Sequence, residues 1–337
     1  MQEVELLGLP GSPYTRKMLA LLRFRRIPYR LIWGTHFDPP VGYPNPKVKL
    51  LPTFYFPTAS GLDVVVDSTP IIQRLESEYL DRSVTPEDPL LSFLDCLIED
   101  FADEWLTKAM FHYRWHFAED AAHAAPLLIY WQHPQINHAK AQEMGEMMAK
   151  RQISRLSVVG SSELTAQVIE SSFERVVGIM DRIIERQGFI LGSRPSASDF
   201  AIYGQLTQLG LIDPTPSRFL EQHSPRLRAW LDRAEDLSGQ ACASWMEPTT
   251  IADHLGELLS EIGRVYAPFL LANAHAIMNG QAEFRTKIDD QLWVQAVFPY
   301  QLKCLEVLRR ARLKLAPQVR QTLDDLLKGT GCEPLFE

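Results

Sequence analysis

Cysteine is scarce and scattered: the four present, Cys96, Cys242, Cys304 and Cys332, form no Cys-x-x-Cys pair. That spacing excludes a dithiol redox motif and a zinc ribbon, and suits reduced thiols in a cytosolic protein better than a disulfide framework. No uninterrupted apolar run approaches the roughly 20 residues that span a bilayer. Met1 to Pro10 carries acidic residues and turns into Gly-Ser-Pro, which reads against a secretory signal. The expectation is a cytoplasmic protein with no membrane segment. Positive charge is not in excess either. At a formal −8 the chain has no electrostatic footprint for nucleic acid, and its one basic run, Arg309 to Lys314, lies inside an apolar helical pattern and reads as a solvated helix face. Internal repeats and low-complexity tracts are missing. What is abundant is apolar surface: 46% of 337 residues are hydrophobic, enough to bury a core in two or three modules.

The apolar run Val4 to Leu9 ends at Pro10-Gly11, and from Pro13 to Arg25 the residues Met18, Leu19, Leu21, Leu22 and Phe24 repeat with helical spacing. Tyr29 to Trp33 reads as a second strand, and the proline-rich stretch from Asp38 to Pro46 as an irregular link. Thr53 to Phe56 and Leu62 to Val66 are strand-like and are separated by the hairpin signal Thr58-Ala-Ser-Gly61. A helix follows from Ser68 to about Tyr79. This order, βαβ, link, ββα, is that of a thioredoxin-like α/β domain. Residues 81 to 89, with Pro86 and Pro89, form a linker. Helical patterns follow at Leu90 to His116 and Leu164 to Gln187, with another helix from Ser196. Beyond residue 245, Ile251, Leu255, Leu258, Leu259 and Ile262 share a helix face, Tyr300 to Leu315 reads as a further helix, and a weakly signalled hairpin lies around Asp289-Asp290.

Three constellations carry chemistry. In Gly11-Ser12-Pro13-Tyr14-Thr15-Arg16-Lys17, Ser12 is the N-cap of the first helix. Simple capping explains it. A hydroxyl there is equally placed to donate to a thiolate, favoured by the helix dipole and by Arg16 and Lys17. In Lys49-Leu50-Leu51-Pro52-Thr53, Pro52 is either an ordinary strand-initiating proline or the second half of a cis bond that leaves the Leu51 backbone free for an extended peptide ligand. In Val66-Asp67-Ser68-Thr69-Pro70, a helix start is either plainly capped or offers the Ser68 amide and hydroxyl to an α-carboxylate and Asp67 to an ammonium.

Taken in this order on this pattern, Ser12, Leu51-Pro52 and Asp67-Ser68 resemble the glutathione-binding residues of the glutathione transferase superfamily. The resemblance is to serine-type, bacterial-like members. Asp67-Ser68 departs by one methylene from the family's Glu-Ser or Gln-Ser pair. The segment Leu191 to Phe200, with Ser196 and Asp199, resembles the family's buried capping box. The likeness covers about residues 1 to 240. It implies a thioredoxin-like glutathione-binding domain (1–82), an all-helical glutathione-transferase C-terminal domain (88–245) and an added, mainly helical extension (246–337). A homodimer is implied too.

On that resemblance Ser12 is the catalytic residue; Leu51, Pro52, Asp67 and Ser68 hold glutathione as co-substrate; and Lys49 meets its glycine carboxylate. Tyr14, Trp105, Phe111, Tyr113, Trp115 and His116 would line a pocket for a small apolar electrophile, although aromatic residues at helical spacing are more often plain core. His112 and His116 share a helix face, but with no third ligand evident no metal site is expected. Gly160-Ser161-Ser162 lacks the Gly-x-Ser-x-Gly elbow of a serine hydrolase. The leading expectation is glutathione conjugation, the alternative a non-catalytic binding or scaffold protein. Glutaredoxin-like exchange would need a cysteine where Ser12 stands. In the extension, Trp293, Phe298, Tyr300, Leu305 and Leu308 look like a face that docks on the helical domain, or else one that binds a partner.

Overall fold

The strand Val4–Gly8 (β1) buries Val4, Leu6 and Leu7 and lies inside a sheet, with Glu5 alone among its side chains carrying charge. The computed structural model describes residues 3–36, 40–59 and 61–337. Met1, Asp38 and Pro39 of the proline-rich link, and Ser60 of the hairpin turn, lie outside them. Helix Pro13–Phe24 (α1) carries the chain to Tyr29–Trp33 (β2), parallel to β1 with Val4 opposite Tyr29. Thr53–Thr58 (β3) returns antiparallel to β1, Leu6 facing Phe54, and Gly61–Val65 (β4) pairs with β3. The sheet order is β2-β1-β3-β4, and Ser68–Glu78 (α2) follows it. This is the thioredoxin-like arrangement that the sequence pattern implies.

From Pro89 to Ala234 the chain is mainly helical. Pro89–Phe101 (α3) and Thr107–His116 (α4) form one rod through the π-helical turn Ala102–Leu106, and are followed by Ala118–Gln132 (α5) and His138–Ile153 (α6). Ala166–Gln187 (α7) begins two residues later than its apolar pattern, because the Thr165 hydroxyl donates to the Gly160 carbonyl and closes the preceding turn. Ala197–Thr207 (α8), Pro214–His223 (α9) and Pro225–Ala234 (α10) complete this helical domain. Helix α8 lies against α1 at Gly204, where a Cβ would come within 2.5 Å of the Pro13 carbonyl oxygen. Only glycine allows that approach, and it sets the first turn of α1 against the helical domain.

The extension contains Ile251–Glu261 (α11), Ala267–Met278 (α12), the hairpin Glu283–Ile288 (β5) and Gln291–Ala296 (β6), Pro299–Lys314 (α13) and Pro317–Leu327 (α14). At the hairpin turn Asp289 and Asp290 take φ 50° and 61°, the paired left-handed geometry of a two-residue loop. Arg175 and Arg264 hold the Asp289 carboxylate at 3.0 and 3.1 Å. Of the expected docking face, Trp293, Leu305 and Leu308 are buried, Trp293 lying 5.3 Å from the Trp105 ring. Phe298 and Tyr300 are not part of that face; they remain 40% and 39% exposed. The basic run is also more than a solvated face: Arg309 donates to the Leu335 carbonyl and Arg312 pairs with Asp324 of α14. No helix among the described residues is long and apolar enough to cross a membrane.

The capping box closes at the start of α8. Buried Asp199 accepts from the Ser196 and Ile190 amides, both at 2.9 Å, and from the Ser196 hydroxyl. Asp199→Ala would strand both amides away from water, so we expect a loss of about 2–5 kcal/mol in chemical denaturation.

Candidate functional site

Ser12 caps α1 with extended backbone. Its Oγ accepts from the Thr15 amide at 3.2 Å and donates to the Leu51 carbonyl at 3.3 Å. The Leu51-Pro52 bond is cis. The Leu51 backbone, expected to be unpaired, therefore has its carbonyl engaged by the very hydroxyl it faces. The link behind it is held by His36, buried, whose Nε2 lies 3.0 Å from the Leu50 carbonyl and 2.9 Å from the Thr53 hydroxyl. Lys49 is exposed on this link.

The helical domain supports the turn before Ser12. Arg114 donates to the Gly11 carbonyl at 3.1 Å, to Asp213 at 2.8 Å and to Gln208 at 2.9 Å, while Gln208 donates to the Pro10 carbonyl at 3.1 Å. Burial pushes the Asp213 carboxyl above its usual range, with Arg114 pulling it back. These three residues were not legible in the sequence, since 99 positions separate Arg114 from Asp213 and no local pattern joins them.

At the start of α2, Asp67 takes φ 78° and caps the helix, its Oδ1 accepting from the Thr69 amide at 3.3 Å. Its Oδ2 accepts from the Tyr300 hydroxyl at 2.6 Å. Ser68 is buried, and its Oγ accepts from Lys17 Nζ at 2.9 Å. Lys17 is itself buried between Glu99 at 2.7 Å and Asp103 at 2.6 Å, and the Tyr14 hydroxyl donates to the Asp103 carbonyl at 2.7 Å. Burial alone disfavours the Lys17 ammonium, yet Asp103 and Glu99 hold its pKa above the ordinary value. Burial pushes the Asp103 carboxyl up to about 6, opposed by Lys17. Asp103 Oδ1 is buried with no hydrogen-bond partner among the described residues. The expectation that Arg16 and Lys17 serve a thiolate at Ser12 is corrected here. Lys17 is neutralised by two carboxylates, and Arg16 pairs with Glu235 at 2.8 Å.

The six aromatic and histidine positions do not converge on one cavity. Trp105 is buried and donates to Ser172 at 2.9 Å. Tyr113 packs against Phe173 and Phe117, and Trp115 sits with Ala121 and Ala124 in a small separate cluster beside Phe111. His116 stacks on His112 at 4.6 Å, and His112 directs its two nitrogens to Ser161 at 2.8 Å and Glu170 at 3.1 Å. What stands beside the Ser12 turn is α5: a Cβ on Gly11 would come 2.3 Å from Leu128 Cδ2 and 2.9 Å from Trp131 Cζ3, both partly buried. The run Leu127 to Trp131 was the available signal, an apolar stretch at the end of a helix.

Lys17→Met would leave Glu99, Asp103 and Ser68 buried without their cation, at a cost of about 3–5 kcal/mol. Protonation relieves stranded carboxylates. Without Lys17 the Asp103 carboxyl takes up its proton above the value of about 6 that it has beside that cation, so the loss measured by denaturation is expected to shrink as pH falls towards about 6 and to level off below it.

A model of the glutathione S-transferase N-terminal domain matches residues 6–83, and one of the glutathione S-transferase C-terminal domain matches residues 149–233. No curated protein matches the chain by sequence. Among solved structures, a glutathione S-transferase of Methylobacterium radiotolerans in complex with glutathione sulfonate aligns at 16% identity and a TM-score of 0.38, over 73% of this chain and 100% of its own. The beta-etherase LigF of a Sphingobium species aligns at 16% identity and 0.47, over 68% of this chain and 93% of its own. FzlA of C. crescentus aligns at 14% and 0.43, over 68% and 86%.

Proposed function

Since the chain belongs to the glutathione S-transferase superfamily, we propose that it binds glutathione and transfers the glutathionyl thiolate to a small apolar electrophile. The observation that carries this reading is the 3.3 Å contact between the Ser12 hydroxyl and the carbonyl of Leu51, at the cis Leu51-Pro52 bond. It sets a hydroxyl at a helix N-terminus beside backbone suited to an extended peptide.

On this reading the ligand thiol lies at the N-terminus of α1, and Ser12 turns its hydroxyl from the Leu51 carbonyl to the sulfur. A free thiol titrates at roughly 8.5, so one hydrogen bond and the helix N-terminus together make the thiolate the prevalent form near neutrality. The thiol proton leaves to solvent. The sulfur lone pair forms the new S–C bond as the electrophile's leaving group departs with its electron pair. Lys17 and Arg16 are engaged elsewhere and do not assist. Asp67 takes the γ-glutamyl ammonium, the Ser68 amide the α-carboxylate, and Lys49 the glycine carboxylate. Leu128 and Trp131 form the apolar wall for the acceptor. The protein is then a cytoplasmic homodimer, for which light scattering is the check; its four free cysteines suit a reducing compartment.

A non-catalytic, transferase-like binding or scaffold protein is the second reading, favoured by the packing of Trp105, Tyr113 and Trp115 into the interior. Calorimetry separates the two: no heat with glutathione at millimolar concentration leaves the scaffold reading alone. For a transferase, Ser12→Ala should lower turnover of a chloronitrobenzene acceptor about 10- to 100-fold with little change in glutathione affinity. Unchanged turnover would remove Ser12 from the reaction.

A further inference from the structure

We propose that Tyr300, from the C-terminal extension, is a positioning residue of the γ-glutamyl subsite, orienting the Asp67 carboxylate for the ligand's ammonium. The inference rests on the glutathione-binding reading above and concerns a residue 233 positions away in the chain.

The contact is delivered by a braced segment. Phe298, just before α13, exchanges two hydrogen bonds with the Asn273 side chain, at 2.8 and 3.1 Å, and Gln301 donates to Glu104 at 3.1 Å. Tyr300 lies between these anchors. Burial, and then the neighbouring Asp67 carboxylate, hold the Tyr300 phenol well above its ordinary pKa, so it stays a donor.

Asp67 needs such a partner. It sits at φ 78°, a left-handed conformation costly for a residue with a Cβ, and its side chain is one methylene shorter than the glutamate or glutamine that would reach farther. A short carboxylate compensates for reach only if it is held in one orientation. The Thr69 amide holds Oδ1 and the Tyr300 hydroxyl holds Oδ2. Each carboxylate oxygen has two acceptor directions, so both keep one for an incoming ammonium. Tyr300 remains 39% exposed, which leaves the approach open to solvent and ligand. Preorganisation of this kind strengthens binding by removing an ordering cost.

The test is calorimetry on the full chain and on Tyr300→Phe, with two ligands: glutathione, and its analogue lacking the α-amino group, glutaryl-cysteinylglycine. The substitution removes one hydroxyl from a half-exposed ring, and a matching thermal melt checks that the fold is kept. The expected result is about a tenfold loss of glutathione affinity, with the affinity of the amine-free analogue unchanged. Equal affinity of the two proteins for glutathione, a tighter Tyr300→Phe complex, or an equal loss for both ligands would each overturn the proposal. The two readings fail differently: a wild-type chain that binds neither ligand sinks glutathione binding and this inference with it, whereas a wild-type chain that binds and a variant that does not differ from it sink the inference alone.

Discussion

Everything around the candidate site leans on one buried cation. Lys17 lies on the inner face of α1, with Ser68 from the start of α2 and Glu99 and Asp103 from the α3 rod gathered on its ammonium. An unpaired buried charge is expensive, and a pair repays its desolvation only with good geometry and satisfied neighbours. Here three acceptors from two other elements supply that geometry, while Thr69 donates to Glu99 and Tyr14 to the Asp103 carbonyl. The consequence is positional. The helix that Ser12 caps and the helix that Asp67 caps cannot shift relative to each other or to the helical domain without breaking a charged contact. The arrangement also keeps the Lys17 ammonium on Glu99 and Asp103 and away from the Ser12 hydroxyl.

A second cation secures the extension by different means. Lys108 on α4 is buried, its ammonium 4.0 Å from the centre of the Phe269 ring, with the Val159 carbonyl at 3.2 Å and Gln295 at 3.4 Å. No carboxylate pairs with it among the described residues, and burial lowers its pKa to about 7. The Phe269 and Trp293 faces and the Gln295 amide of the extension, with the Val159 carbonyl of the helical domain, stand in for a counter-ion. With Trp293 packed on Trp105, this makes the extension part of the protein's interior instead of a loose appendage, and it is from this docked platform that Tyr300 reaches Asp67.

Local patterns carried much of the architecture. The strand, turn and helix signals from Val4 to Glu78 were readable because short β-rich apolar runs stand between turn residues and a capped helix announces its own start. The capping box at Ser196 and Asp199 was readable for the same reason, its two partners being three residues apart. Helix α14 was not anticipated, because it buries only Leu323 and Leu327 and its apolar signal is thin. The aromatic residues of the rod formed by α3 and α4 were ambiguous: periodicity says that a face is covered without saying by what, and for Trp105 the cover is Trp293 and Phe269.

By itself the sequence determined most of the strand and helix segments, that Ser12 caps the first helix, that a helix starts at Ser68, and that Leu51-Pro52 stands at the start of a strand, since each depends on neighbours a few residues away. Only the tertiary structure decided where the charges go. Lys17 turns inward to Glu99 and Asp103, Arg114 supports the turn before Ser12, and Tyr300 closes on Asp67. The physical reason is that a charged or hydrogen-bonding side chain takes its partner from whatever packing brings within about 3 Å. When that partner is 80 to more than 200 residues distant, no window of sequence contains both.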